Sequence, residues 1–225
     1  NNKIRWCMWL KGVSPNIIRN TPPIAKAVES VKEMREQSNR EATKKLAETP
    51  TLFGEIRQPS ADYIVIPRVS SERRKYIPIG FLNADYIASD AVQILPDANM
   101  FHFGVLTSNV HMAWMRSVCG RLKSDYRYSV NIVYNNFPWP TPTDEQKAAI
   151  EKTAQAILDA RALYPDCSLA DLYDEVAMPP ELRKAHQAND RAVMQAYGFD
   201  VKTTTESTCV AELMKMYQNL TKQRK

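Results

Sequence analysis

With 225 residues, of which 44% are hydrophobic and 24% charged, the chain has the composition of a globular protein with one large core or two small ones. No apolar run approaches the ~18 residues of a membrane helix and no signal peptide is visible, so we expect no membrane partner. The four cysteines are widely spaced and form no CxxC pair, which argues against a zinc site or a disulfide scaffold and favours the cytoplasm. The absence of an initiator methionine before Asn1 indicates a fragment of a longer protein.

Positive charge is concentrated in the first part of the chain. Residues 1–142 contain 19 Lys and Arg and 12 Asp and Glu, a net charge of +7, whereas residues 143–225 contain 11 and 13, a net charge of −2. A basic first part suits a phosphate backbone as partner, and the second part suits a solvated helical surface. Because many basic domains never contact nucleic acid, the charge alone does not decide the partner.

The first sixty residues are predicted to contain a strand and a long helix. Residues 6–10 have the apolar pattern of a short buried strand. Thr21 is placed to cap a helix that begins at Pro22, where the missing N–H costs nothing. This helix is expected to continue as a polar segment through residues 32–45 and to end at Thr49.

The middle of the chain alternates between short strands and turns. Apolar and β-branched runs predict strands at residues 63–66, 76–79 and 92–95. Residues 103–118 have the period of one amphipathic helix, with Gly120 placed to end it.

The final part is predicted to be helical. A proline-rich stretch at residues 135–142 is the best candidate for a domain boundary. After it, start and stop residues indicate four helices. The first is capped by Thr143 with Gln146 and the second by Ser168 with Asp171. The third begins at Pro179 and Pro180 and is closed by Gly198, and the fourth begins at about Glu206. We therefore predict an α+β fold: a domain over residues 1–140 with a small mixed or antiparallel sheet and packed helices, and an α-helical C-terminal domain over residues 141–225.

Common catalytic motifs are missing from the sequence. It contains no GxGxxG, GxxxxGK[ST], HExxH or GxSxG pattern. His102 and His111 flank an apolar helix face, where a structural histidine is expected rather than a metal ligand or a base. Cys119 at a helix end is expected to be a small buried hydrophobe rather than a reactive thiol. We therefore expect no catalytic, metal or cofactor site in this chain, and no enzyme activity of its own.

Three consecutive motifs in residues 103–140 carry a resemblance to a known family. They are GVLTSNVHMAWMR, GRLKSDYRYS and IVYNNFPWP, in that order, and a later segment, ADLYDEVAMPPELRKAHQANDRAVMQAYGF, extends the match. The chain resembles the target-recognition and C-terminal regions of MmeI-like enzymes, a family of fused type II restriction–modification proteins and related DNA adenine methyltransferases. The resemblance covers essentially the whole chain.

The resemblance implies that this chain is the specificity part of a larger enzyme. The family's catalytic domain has an S-adenosylmethionine site and an Asn-Pro-Pro-Tyr-type motif, and it methylates an adenine amino nitrogen. Residues 136–139, Asn-Phe-Pro-Trp, do not match that motif, so the chemistry and the cofactor belong to the parent protein upstream of residue 1. The implied partners are double-stranded DNA and the parent's own methyltransferase domain.

Residues 121–128 are the candidate base-contacting segment. As one extended strand they would place Lys123, Asp125 and Arg127 on one face, a donor–acceptor–donor pattern that suits the major groove. The alternative is a surface strand whose charges pair in solvent, worth ~0–1 kcal/mol per pair.

The resemblance assigns more specific roles within and beside this segment. It implies that Lys123 with Asp125 contacts one G·C pair and that Arg127 with Ala91 contacts a neighbouring position, with Ser124 as a further base contact. Phosphate contacts are expected from the basic residues Arg73, Arg74, Lys75 and Arg121, which would position the protein without specifying sequence. A solvated basic turn is the alternative for residues 73–75.

The sequence leaves two alternatives to DNA recognition open. One is a protein-interaction module that uses the polar helix at residues 32–48 and the C-terminal helices. The other is a standalone enzyme that uses Cys119 or the histidines. The C-terminal domain either clamps DNA or braces the recognition domain, and its net charge of −2 favours bracing.

Overall fold

The computed structural model describes residues 5–223, so residues 1–4 and 224–225 of the two predicted domains lie outside it. Two compact units divide between Gln58 and Pro59. The first is helical and consists of α1 (Pro15–Arg19), α2 (Pro22–Glu36), α3 (Glu41–Lys45) and a 3-10 turn (Leu46–Glu48).

One arginine holds the first unit together. The Arg35 guanidinium donates to the carbonyl oxygens of Leu46 at 2.8 Å, Thr49 at 3.0 Å and Leu52 at 2.8 Å. These bonds fold residues 46–52 back onto α2, and they add to the backbone N–H groups of Thr49 and Leu52, which donate to the carbonyl oxygens of Leu46 and Thr49.

Two expectations for this unit are wrong. Residues 6–10 form no strand, and the Trp6 side chain is 92% exposed, since an apolar run becomes a strand only where a second strand pairs with it. The expected long helix ends at Glu36, and the chain turns before α3 starts at Glu41. The start of α2 after Thr21 is as predicted.

The second unit contains two three-stranded antiparallel sheets. In the first, β1 (Tyr63–Pro67) lies between β3 (Gly80–Leu82) and β4 (Val92–Leu95). In the second, β6 (Asp125–Arg127) lies between β2 (Val69–Ser70) and β5 (Gly120–Leu122).

The strand predicted at residues 76–79 lies instead at Gly80–Leu82. Tyr76, Ile77 and Ile79 are buried, with at most 2% of their surface exposed, but they pack as core residues outside the ladder. Pro78 explains the difference, because proline has no N–H to donate to a neighbouring strand.

The helix predicted over residues 103–118 is two helices, α4 (Met100–Leu106) and α5 (Asn109–Val118). The break falls at Ser108, whose Oγ accepts from the backbone N–H of His111 and so caps α5. A serine hydroxyl competes in this way with continuation of a helix. Gly120 does not end the helix as predicted: Cys119 is already extended, and Gly120 begins β5.

The C-terminal part forms α6 (Asp144–Ala162), α7 (Leu169–Leu172), α8 (Pro180–Ala196) and α9 (Glu206–Gln223). The predicted reciprocal caps, Thr143 with Gln146 and Ser168 with Asp171, are both present. With the small antiparallel sheets, these helices confirm the predicted α+β class. One hydrophobic core joins the first sheet, α4 and α5 to the C-terminal helices, so segments on both sides of residue 140 contribute to it.

At Gly104, α4 packs closely against two other helices. A Cβ atom at this position would lie 2.6 Å from Ile150 Cγ2, 3.1 Å from Ala154 Cβ and 3.1 Å from Asn189 Oδ1. The missing side chain lets α4 contact both α6 and α8.

We predict that Gly104→Ala lowers the free energy of unfolding by about 1–3 kcal/mol, although alanine favours helices, because the added methyl group overpacks the core. Denaturant unfolding measures the loss. Ile150→Ala removes the atom in the tightest contact, so the double variant should lose less than the sum of the two single losses. Additive losses would show that the contact at Gly104 is not tight.

Candidate nucleic-acid interface

The segment predicted to contact bases is a tight hairpin. Leu122 of β5 pairs with Asp125 of β6, which leaves Lys123 and Ser124 as a two-residue turn. Lys123 has a φ of 56°, in the left-handed region that non-glycine residues rarely adopt. A positive φ at the first turn residue alone fits a type II′ turn. Lys123 therefore lies at the tip of the hairpin.

This turn corrects the expected alternation over residues 121–128. Side chains alternate only within one strand, and the chain reverses after Lys123. Asp125 and Arg127 share one face of β6, while Tyr126 between them is buried on the other face. Lys123 is not on that common face but projects from the turn.

Arg121 braces the hairpin. Its guanidinium carbon lies 4.2 Å from the ring centroid of Tyr126, its cross-strand partner, and an N–H donates to the carbonyl oxygen of Ser124 at 2.9 Å. Arg121 remains exposed, so it can brace the turn and still present other N–H groups outward.

Arg68 connects the two sheets. Its backbone N–H donates to the carbonyl oxygen of Ala91 at 2.9 Å, and its carbonyl oxygen accepts from the N–H of Tyr128 at 2.8 Å. Ala91 and Arg127 therefore lie on opposite sides of the short segment that joins β1 to β2. The structure brings together the two regions from which base contacts were predicted.

Arg68 is also a candidate contact that the sequence analysis missed. Its side chain is half-buried, and in the described part of the chain its buried Nε–H has no hydrogen-bond partner. An orphaned donor of this kind is costly unless a ligand satisfies it. The only sequence signal is an arginine directly after an apolar strand, which alone does not distinguish a site from a surface.

The basic loop at residues 71–75 adjoins the hairpin. The backbone N–H of Glu72 faces Asp125 Oδ1 at 3.4 Å. Arg73 and Lys75 are exposed, and Arg74 is half-buried. We call these three side chains, with Arg121, Lys123 and Arg127 of the hairpin, the basic surface; within it Arg121 lies on the Tyr126 face of the hairpin and Arg127 on the opposite face.

The hairpin is anchored to α5 by a buried pair. His111 Nε2 and the Tyr128 hydroxyl lie 3.0 Å apart, and the His111 ring meets Phe137 edge-on at 4.5 Å. Burial alone lowers the pKa of His111 to about 3, so the imidazole is neutral at pH 7.

Other reactive groups also occupy structural positions. Burial, with smaller effects from Arg161 and Lys75, lowers the pKa of His186 to about 3. Burial raises the pKa of the Cys119 thiol, which disfavours the nucleophilic thiolate. Among the described residues no group of three or more His, Cys, Asp or Glu side chains is arranged to hold a metal ion. None of the helices in this part of the chain is long and apolar enough to cross a membrane.

Comparison with known proteins assigns the two halves of the chain. The family described as "MmeI, target recognition domain" matches residues 1–141, and the family described as "MmeI, C-terminal domain" matches residues 142–224. The chain is therefore a target-recognition domain followed by a C-terminal domain. It belongs to the MmeI family, which confirms the resemblance found in the sequence.

Two relatives are substantially longer than this chain. DNA methyltransferase A of Bacillus subtilis (strain 168) is 38% identical over 221 residues, which are 98% of this chain and 25% of the relative. The structure of the type IIL restriction–modification enzyme MmeI in complex with DNA matches with a TM-score of 0.95 and 47% identity, over 99% of this chain and 30% of that protein. The chain thus spans about a quarter to a third of these relatives.

We predict a pH-dependent contribution of His111 to stability. Its pKa is about 3 when folded and 6.5 in its ordinary state, so the unfolded chain binds the proton first as the pH falls. The stabilisation is complete above pH 6.5 and is lost progressively towards pH 3, by about 1.4 kcal/mol per pH unit.

Denaturant unfolding of the original chain and of His111→Gln, between pH 7.5 and 5, measures this contribution. The advantage of the original chain should shrink as the pH falls, because glutamine does not titrate. A difference that stays constant over this range would show that His111 is not buried in its neutral form.

Proposed function

We propose that this chain recognises a specific sequence in double-stranded DNA and supplies the specificity of a larger restriction–modification enzyme. The observation that carries the proposal is the basic surface, in which an anchored hairpin, the Arg68 junction and the basic loop lie side by side. A relative that is 47% identical over nearly the whole chain has a structure in complex with DNA, which supports DNA as the partner.

The hairpin has the dimensions of a base-contacting element. A major groove about 12 Å wide admits a two-stranded ribbon. Lys123 at the tip can donate to guanine O6 or N7, and Asp125 can accept from the cytosine amino group of the same G·C pair. Arg127 and Ala91 contact a neighbouring base pair, with Ser124 as a further contact at the tip.

Arg68 completes the base-contacting set. It lies between the backbones of Ala91 and Tyr128, and a base or phosphate oxygen would satisfy its orphaned Nε–H. Its position makes it a contact to the base pair that Arg127 and Ala91 approach.

Phosphate contacts come from Arg73, Arg74, Lys75 and Arg121. These side chains fix the register of the protein on the duplex but carry no sequence information. Their affinity should fall with rising salt, because neutralised phosphates release counterions.

In this proposal the remainder of the parent protein carries out the methyl transfer. Its methyltransferase domain binds S-adenosylmethionine and transfers the methyl group to the N6 of adenine in the cytoplasm, and this chain contributes no catalytic residue. Residues 1–140 form the DNA target-recognition domain, and residues 141–225 form a helical domain that braces it. The shared core and the net charge of −2 in the second segment support bracing rather than a DNA clamp.

We predict that the double substitution Lys123→Glu with Asp125→Arg changes the preferred base pair at one position of the target. Exchanging donor and acceptor should exchange guanine and cytosine between the two strands. The measurement is enrichment of short motifs from random duplex DNA by the full-length parent and by the variant at two salt concentrations.

Arg73→Gln with Arg74→Gln is the matched control and should weaken binding to all sequences alike, with a shallower salt dependence. An unchanged motif after the Lys123 and Asp125 exchange would overturn the base assignment. If the parent enriches no motif at either salt concentration, the DNA proposal fails and a protein-interaction role replaces it.

A further inference from the structure

A buried carboxylate of α8 connects three distant parts of the chain. Asp190 Oδ2 accepts from the Tyr76 hydroxyl at 2.6 Å, and Oδ1 accepts from the backbone N–H of Asn109 at 2.7 Å. Only 7% of Asp190 is exposed. A buried carboxylate is costly unless it is hydrogen-bonded, so these two bonds fix its position.

The bond to Asn109 places a carboxylate at the start of α5. Asn109 is the first residue of this helix, where the N–H groups have no helical partner and the helix dipole favours negative charge. Burial raises the pKa of the Asp190 carboxyl, while the bonds from Tyr76 and Asn109 lower it. Asp190 thus fixes the first turn of α5, which also carries His111.

The bond to Tyr76 fixes the end of the basic loop. Tyr76 follows Lys75 directly, and its ring stacks on His186 with centroids 4.1 Å apart. His186 Nε2 in turn lies 2.6 Å from the Tyr173 hydroxyl. Two side chains of α8, Asp190 and His186, therefore hold the residue from which residues 71–75 extend.

The other anchor, α5, leads directly to the hairpin. The helix carries His111, the partner of Tyr128, and ends at Val118, two residues before β5 begins. Asp190 is therefore hydrogen-bonded both to Tyr76, which directly follows the basic loop, and to Asn109, which begins the helix that leads to the hairpin.

We propose that Asp190 is a positioning residue that sets the spacing between the basic loop and the hairpin. The C-terminal region then contributes to sequence specificity without touching a base. This inference rests on the proposed function, since it concerns the same DNA surface. A carboxylate with only a stabilising role would affect folding but not the choice of sequence.

The test uses the full-length parent with Tyr76→Phe, Asp190→Asn and the double variant. Phenylalanine keeps the ring stacked on His186 and removes only the hydroxyl, whereas asparagine keeps an acceptor for Asn109 and removes the acceptor for Tyr76. The readout is the ratio of affinities for the enriched duplex and for a scrambled duplex, with melting temperatures measured in parallel.

Ile157→Val, a buried α6 substitution that removes none of these hydrogen bonds, is the matched control for lost stability. We expect each single variant to lower the affinity ratio about 5- to 10-fold, which is less than the full effect of one hydrogen bond to a charged group because the DNA-contacting side chains themselves are kept. The double variant should lose no more than the larger single loss, because each substitution removes the charged hydrogen bond from the Tyr76 hydroxyl to the Asp190 carboxylate. The control should keep the original ratio.

Three results would overturn the inference: ratios within twofold of the original in both folded single variants, additive losses in the double variant, or an equal loss in Ile157→Val. These results all presuppose that the unsubstituted parent prefers its enriched duplex. If the unsubstituted parent shows no preference, the proposed function itself fails. Failure of the proposed function is thereby distinguished from failure of the role given to Asp190.

Discussion

The proposed recognition surface depends on the close approach of α4 to α6 and α8 at Gly104. Since this residue has no side chain, Asn189 of α8 can donate to its carbonyl oxygen at 2.8 Å, while Thr153 of α6 donates to Asn189 Oδ1 at 3.1 Å. This contact fixes the register of α8 along α4. The next residue in α8 is Asp190, so the same register places its carboxylate against α5 and Tyr76. A tight core contact thereby sets the position of polar groups at the surface.

The polar groups that support the basic surface are buried, whereas the cationic groups of that surface are mainly exposed. Behind the surface, His111 and His186 are kept neutral by burial, and their partners are tyrosine hydroxyl groups rather than charges. On the surface, the hairpin and the loop carry long cationic side chains that lie in solvent. The neutral imidazoles carry no charge that would act on these cations, and the charge in the support is that of the Asp190 carboxylate, which interacts with Lys75. A positively charged but well-anchored hairpin is suited to an anionic partner.

Local signals were sufficient for much of the fold. The C-terminal helices were predicted because caps such as Thr143 with Gln146 act within one helical turn, and β1 and β4 were predicted from apolar runs. The break at Ser108 was missed because a serine within an apolar period either continues a helix or caps a new one, and tertiary packing decides between them. The turn at Lys123 was missed because its positive φ is not signalled by the usual glycine or asparagine. Arg68 and Asp190 could not be predicted at all, since their roles arise from partners 23 to 114 residues away.

Amide hydrogen exchange of the full-length parent, with and without its enriched duplex, tests most directly whether the basic surface contacts DNA. The account predicts slower exchange at residues 71–75, at Ala91 and through the hairpin at residues 120–127, with smaller changes in α6 and α9. Because these segments are far apart in sequence, joint protection would identify them as one contact surface. Protection confined to the C-terminal helices, with unchanged exchange in the hairpin and the loop, would contradict it.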